Sequence, residues 1–154
     1  MEELNITRTM PNSLEAEQSV IGSMIWDRQA IITAGEMLMQ DDFYYKQYGI
    51  MFQAMVEMNN EGKPVDVVTL QEKLKEKDVP PEVYSLEFVR ELLSSVPTSA
   101  NIRQYATIVK DKSILRNIIK DEMLISKISK IKIIALAKRY KGFPKYSMWA
   151  ILAN

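Results

Sequence analysis

Apolar side chains recur every three or four residues along most of this chain, and nearly every such run is bounded by Pro, Gly or a capping residue. Helical periodicity of this kind fixes the fold class before composition is consulted. Ala16, Val20, Ile21, Met24 and Ile25 fall at helical spacing after Pro11, with Asn12 and Ser13 competing as N-cap and Asn12–Glu15 at capping-box spacing. Ile31, Ala34 and Leu38 share one side of a short helix around 29–39, and Asp41-Asp42 reads as a turn that also caps the next helix. Tyr48, Met51, Phe52, Met55 and Met58 form a 3.6-residue stripe over about 45–61, and Gly62 stands where a left-handed C-terminal residue is wanted. Only Pro64-Val65-Asp66-Val67-Val68 has a strand-like composition. With no second β-rich run to pair with, it reads as an extended connector before a capping box at Thr69-Leu70-Gln71-Glu72. That short helix ends at Val79-Pro80-Pro81. Tyr84, Leu86, Val89, Leu92 and Leu93 then outline a helix that stops at Pro97, and Thr98 or Ser99 caps its successor.

The last helix carries two stripes. At about 100° per residue, Ile102, Tyr105, Ala106 and Val109 lie on one side, and Ile114, Leu115, Ile118 and Ile119 lie roughly half a turn away. The first stripe closes a core. The second needs a cover, supplied by a helix folding back as a hairpin or by another chain, unless the helix breaks near Asp111-Lys112-Ser113. The expected fold is therefore all-α. It comprises an arm over 1–11, a compact domain of about five short helices over 12–97, and a long helix or first hairpin arm over 98–122. A basic tail or second arm occupies 123–154.

Composition narrows the chemistry. The 154 residues include no Cys and no His, which removes thiolate nucleophiles, disulfides, the Ser-His-Asp triad and the usual zinc and haem ligands. The expectation is no catalytic residue, no metal site and no cofactor site. Gly62-Lys63 is followed by Pro64, and Glu57 stands where a phosphate-cradling loop would need its first Gly, so there is no Walker A motif. The carboxylate pairs Glu15/Glu17, Asp41/Asp42 and Asp121/Glu122 read as helix N-terminal or solvated charges, and Met51, Met55 and Met58 as core. The N-terminus carries no basic, apolar leader, and the run from Ile133 to Ala137 is far too short to span a bilayer, so a cytoplasmic chain with no membrane partner is expected.

Charge is balanced overall but not locally. Residues 1–77 hold 13 acids and 7 bases, residues 78–154 hold 7 acids and 13 bases, and no acid comes after Glu122. In the tail, Lys138, Arg139, Tyr140, Lys141, Lys145 and Trp149 interleave cations with rings, a pattern suited to stacking bases and phosphates of single-stranded nucleic acid. A membrane surface, or merely a solvated arm, fits the same composition.

Five blocks then carry a family likeness. Pro11-Asn12-Ser13-Leu14-Glu15-Ala16-Glu17-Gln18-Ser19-Val20-Ile21-Gly22 comes first, followed by Asp42-Phe43-Tyr44 and by Gly62-Lys63-Pro64-Val65-Asp66-Val67-Val68-Thr69-Leu70. Val96-Pro97-Thr98-Ser99-Ala100-Asn101-Ile102 and Tyr105-Ala106-Thr107-Ile108-Val109 complete the set. In this order they resemble the N-terminal domain of the bacterial replicative DNA helicase, the DnaB family, from Pro11 to about Lys120.

The resemblance implies a helical domain followed by a helical hairpin that pairs with its like in dimers and higher oligomers. It further implies docking of primase and helicase loader, with DNA met indirectly or through the tail. ATP and Mg would belong to a separate motor domain. On this reading Ile114, Leu115, Ile118 and Ile119 mediate self-association. Residues from Met123 onward match nothing in the family pattern, although Ile125, Ile128, Ile131 and Leu136 offer a substitute second arm.

Overall fold

The structure is a computed structural model that describes residues 9–96 and 99–139, with side chains described up to 136. It is built of six α-helices and contains no strand among the described residues. The chain divides into two units, residues 1–115 and residues 116–154.

The first unit is held by helices α1 (Leu14–Trp26), α2 (Arg28–Met37), α3 (Lys46–Asn60), α4 (Val67–Lys75) and α5 (Leu86–Ser94), together with the start of α6 (Ile102–Arg139). The stripes expected in α1, α2 and α3 face inward, whereas in α5 Val89 and Leu92 are buried, Leu86 is exposed and Tyr84 lies in a preceding 3₁₀ turn, Pro81–Tyr84. Val20, Ile21 and Met24 of α1 meet Met51, Phe52 and Met55 of α3 in one core that also takes in Leu70, Leu74, Val89, Leu92, Ala106 and Val109. The methionines of α3 are packing residues, and burying each of them contributes on the order of 2 kcal/mol.

Caps decide the boundaries. Ser13, not Asn12, is the N-cap of α1, its hydroxyl accepting from the Ala16 N–H at 3.3 Å, while Asn12 donates to the Met10 carbonyl at 2.8 Å. Asp27 starts α2 by accepting from the Gln29 N–H at 2.9 Å. At α4 the cap is Asp66 rather than Thr69: its carboxylate accepts from the Val68 and Thr69 N–H groups, both at 2.9 Å, and the Thr69 hydroxyl accepts from the Asp66 N–H in return. One carboxylate serving two orphan donors is the stronger arrangement. Gly62 takes a positive φ of 71°, and the bonds from Gly62 N–H to Asn59 and from Lys63 N–H to Met58 close α3 as a Schellman motif.

Candidate assembly surface

The first turns of α6 are fixed by two means. Ile102, Ala106 and Val109 are buried in the core. One turn further on, Asp42 gathers three donors: the Ser113 hydroxyl at 2.6 Å, the Lys110 ammonium at 3.0 and 3.2 Å, and its own turn's Met39 N–H at 2.8 Å. Asp42 is buried, contrary to its reading as a solvated charge, and it does not cap α3. Its short 3₁₀ turn, Gln40–Asp42, turns the carboxylate toward α6 instead.

Burial works against this carboxylate, but the Ser113 hydroxyl, the Met39 N–H and Lys110 outweigh it and hold its pKa below the ordinary 3.8. With the folded value below the unfolded one, the resulting stability is whole above about pH 4 and is lost as the pH falls through the folded value. Asp42→Ala is expected to lower stability by about 2 kcal/mol at neutral pH, mainly through the stranded Ser113 hydroxyl, the one of the three donors that is buried. Urea unfolding of both chains from pH 7 to pH 3 checks this, the gap between them closing in the most acid samples.

A helix break at Asp111-Lys112-Ser113 does not occur. Ser113 points inward to Asp42, and α6 runs without interruption from Ile102 to Arg139. The boundary expected at 122 therefore lies within a helix, and no hairpin forms among the described residues. Ile125, Ile128, Ile131 and Leu136 belong to the same helix rather than to a second arm.

The second stripe stands open. Ile114 and Leu115 are each 46% exposed and Ile118 is 56% exposed, with Ile119 half-buried beside them. Ile125 at 64% and Leu136 at 54% extend the exposure along the helix. Large aliphatic side chains that recur along one helix, each about half or more in water, are the type of exposure that marks an association surface. Lys127, Lys130 and Lys132 are exposed on the same helix. Of the candidate nucleic-acid contacts, Lys138 and Arg139 fall in the final turn of α6, whereas Tyr140, Lys141, Lys145 and Trp149 lie outside the described residues.

Sequence reasoning missed one further buried acid. Glu17, 1% exposed, accepts from the Tyr44 N–H at 2.8 Å and the Tyr45 N–H at 3.1 Å, so a residue of α1 caps the entry to α3. Among the described residues, no group of three or more acidic side chains is placed to hold a metal ion, and no helix is long and apolar enough to cross a membrane.

Comparison with known proteins gives a consistent picture. The pattern of the DnaB-like helicase N terminal domain matches residues 9–111. The replicative DNA helicase DnaB of Geobacillus stearothermophilus is 39% identical over 120 residues, covering 78% of this chain and 26% of that protein. The replicative DNA helicase DnaC of Bacillus subtilis is 38% identical over 126 residues, covering 82% and 28%. The chain thus spans about a quarter of the length of the curated relatives it matches. Among solved structures, the N-terminal domain of DnaB helicase from Mycobacterium tuberculosis superposes with a TM-score of 0.78 at 30% identity, covering 81% of this chain and 89% of that one. The corresponding domain from Helicobacter pylori, described together with its interactions with primase, shares the fold at a TM-score of 0.65 and 21% identity, covering 75% and 89%.

Proposed function

The chain belongs to the DnaB-like helicase N-terminal domain family, and on that premise we propose that it is an assembly and docking module of DNA replication. Its work is apolar helix–helix association through α6, with primase as the heterologous partner and helicase loader as a second. The carrying observation is the exposed row at Ile114, Leu115 and Ile118, with Ile119 at its edge, on a helix whose opposite side is already committed to the core. The primase assignment is supported by the Helicobacter pylori domain of the same fold, described with that partner. This reading gives the chain no catalytic step and leaves ATP-driven strand translocation to the length of the relatives that it does not span.

Light scattering on the Leu115→Asp/Ile118→Asp variant tests it. The unaltered chain is expected to run as a dimer or larger species and the variant as a monomer of unchanged helicity, with association weakened at least about 100-fold by charges in the centre of the patch. An unaltered chain that is monomeric at high micromolar concentration overturns the proposal.

A second reading rests on the absence of any acid after Glu122. In it Lys138, Arg139, Tyr140, Lys141, Lys145 and Trp149 contact single-stranded nucleic acid, with affinity that falls steeply as salt is added.

A further inference from the structure

Past Glu122 the chemistry of α6 changes. Residues 123–154 hold seven Lys or Arg and no acid, and the helical part of that stretch, Met123 to Arg139, contains no aromatic ring. At about 100° per residue, Leu124, Ile125, Ile128, Ile131 and Leu136 fall on an arc of about 140°, together with the small Ala135. All of these are exposed. Lys132 is the one charge inside the arc. The rest of the circumference mixes Ser126, Lys127, Ser129 and Lys130 with Met123 and the half-buried Ile133 and Ile134.

We propose that this stretch of α6 lies on an anionic lipid surface, in the plane of the interface, with Leu124, Ile128 and Ile131 toward the acyl chains and the lysines among the headgroup phosphates. The exposed aliphatics call for an apolar phase, and the unbalanced lysines call for fixed negative charge. A bilayer with anionic headgroups supplies both within the thickness of one helix. Lys132 fits the same arrangement, because its four-carbon stem lies along the aliphatic arc while the ammonium reaches back to a phosphate. Single-stranded nucleic acid meets only the second need. It offers phosphates to lysine and base faces to aromatic rings, but no volume in which Leu and Ile leave water, and from 123 to 139 there is no ring to stack. No helix among the described residues is long and apolar enough to cross a bilayer, so the contact is with one membrane face. The proposal goes beyond the assembly role and uses residues that follow the stripe at Ile114, Leu115, Ile118 and Ile119, so that either stands or falls without the other.

The absence of native cysteine permits a site-specific test. The full chain carrying Ala135→Cys, labelled with an environment-sensitive dye, is mixed with phosphatidylcholine vesicles with and without about 30% phosphatidylglycerol, and bound protein is separated by flotation. The expected result is binding at least about tenfold tighter to the anionic vesicles, weakening as salt is added, with a blue shift of the dye. The same dye on Met39→Cys, an exposed position of the first unit, is expected to show no shift. Without label, Ile128→Gln/Ile131→Gln and Lys127→Gln/Lys130→Gln are each expected to lose about tenfold or more in vesicle affinity at unchanged helicity. Anionic vesicles that float without the chain overturn the proposal. So does attraction by charge alone, shown by an unshifted dye at position 135 or by full affinity of Ile128→Gln/Ile131→Gln. A chain that ignores the vesicles and binds oligo(dT) puts the nucleic-acid reading of the tail in its place. A dye at 135 that is already blue-shifted in vesicle-free buffer and unmoved by vesicles shows this face covered by protein, and likewise overturns the proposal.

Discussion

Glu17→Ala is expected to destabilise the domain by about 3–5 kcal/mol, although Glu17 belongs to no binding surface. Its carboxylate accepts from the Tyr44 and Tyr45 N–H groups at 2.8 and 3.1 Å, with only 1% of the residue exposed. Two backbone donors at the entry to α3 would be stranded without water. Tyr45 and the neighbouring Tyr48 and Phe88 form a chain of ring contacts at 5.8 and 6.2 Å, so a shift at the entry moves aromatic packing as well. Glu17→Gln keeps the shape, but it replaces one acceptor by an amide donor facing another donor. It is therefore expected to cost about half as much. Urea midpoints for the three chains check the order, unaltered above Gln above Ala. An alanine variant within about 1 kcal/mol of the unaltered chain would show that water or another group reaches both amides.

The contrast between Glu17 and Met55 shows what a sequence displays. Met55 belongs to a stripe whose period is local, so burial comes from spacing alone, and all five members of that stripe are buried. Asp66 and Gly62 are similarly local, since a cap or a left-handed residue acts within four positions. Glu17 and Asp42 act over separations of 27 to 71 residues, and nothing in their surroundings along the chain distinguishes a buried acceptor from a solvated first-turn acid.

The two stripes of α6 were legible because a wheel needs only local order. That the helix continues unbroken to Arg139 was not. From Leu124 to Leu136 aliphatic residues spread around most of the helix, with Leu124, Ile128 and Ile131 exposed off the main stripe. A pattern without a single polar side does not announce where a chain would fold back. The family resemblance pointed to a hairpin at the place where this chain departs from the family pattern.

Gly49→Ala is expected to cost about 2–4 kcal/mol, against an intrinsic helix gain for alanine of about 1 kcal/mol. A Cβ at position 49 would stand 2.7 Å from the Gln40 carbonyl oxygen and 3.3 Å from the Gln40 Cγ. The carbonyl belongs to the 3₁₀ turn whose Asp42 also holds Lys110 and Ser113, so that turn cannot retreat without loosening the hold on α6. Gly22 supplies the control. A Cβ there would meet Val96 Cγ2 at 2.5 Å, a closer approach but to a side-chain methyl, with the Leu92 carbonyl oxygen and Val96 Cβ both at 3.2 Å. Val96→Ala removes the 2.5 Å clash and is thus expected to recover part of the loss in Gly22→Ala, the 3.2 Å approach to the Leu92 carbonyl oxygen remaining. Gly49→Ala has no comparable rescue, because the obstacle is backbone. Thermal unfolding of Gly49→Ala, Gly22→Ala and Gly22→Ala/Val96→Ala separates the cases. If Gly49→Ala melts within a degree or two of the unaltered chain, the 3₁₀ turn is soft, and the fixed start of α6 must be credited to its apolar contacts with the core rather than to Asp42.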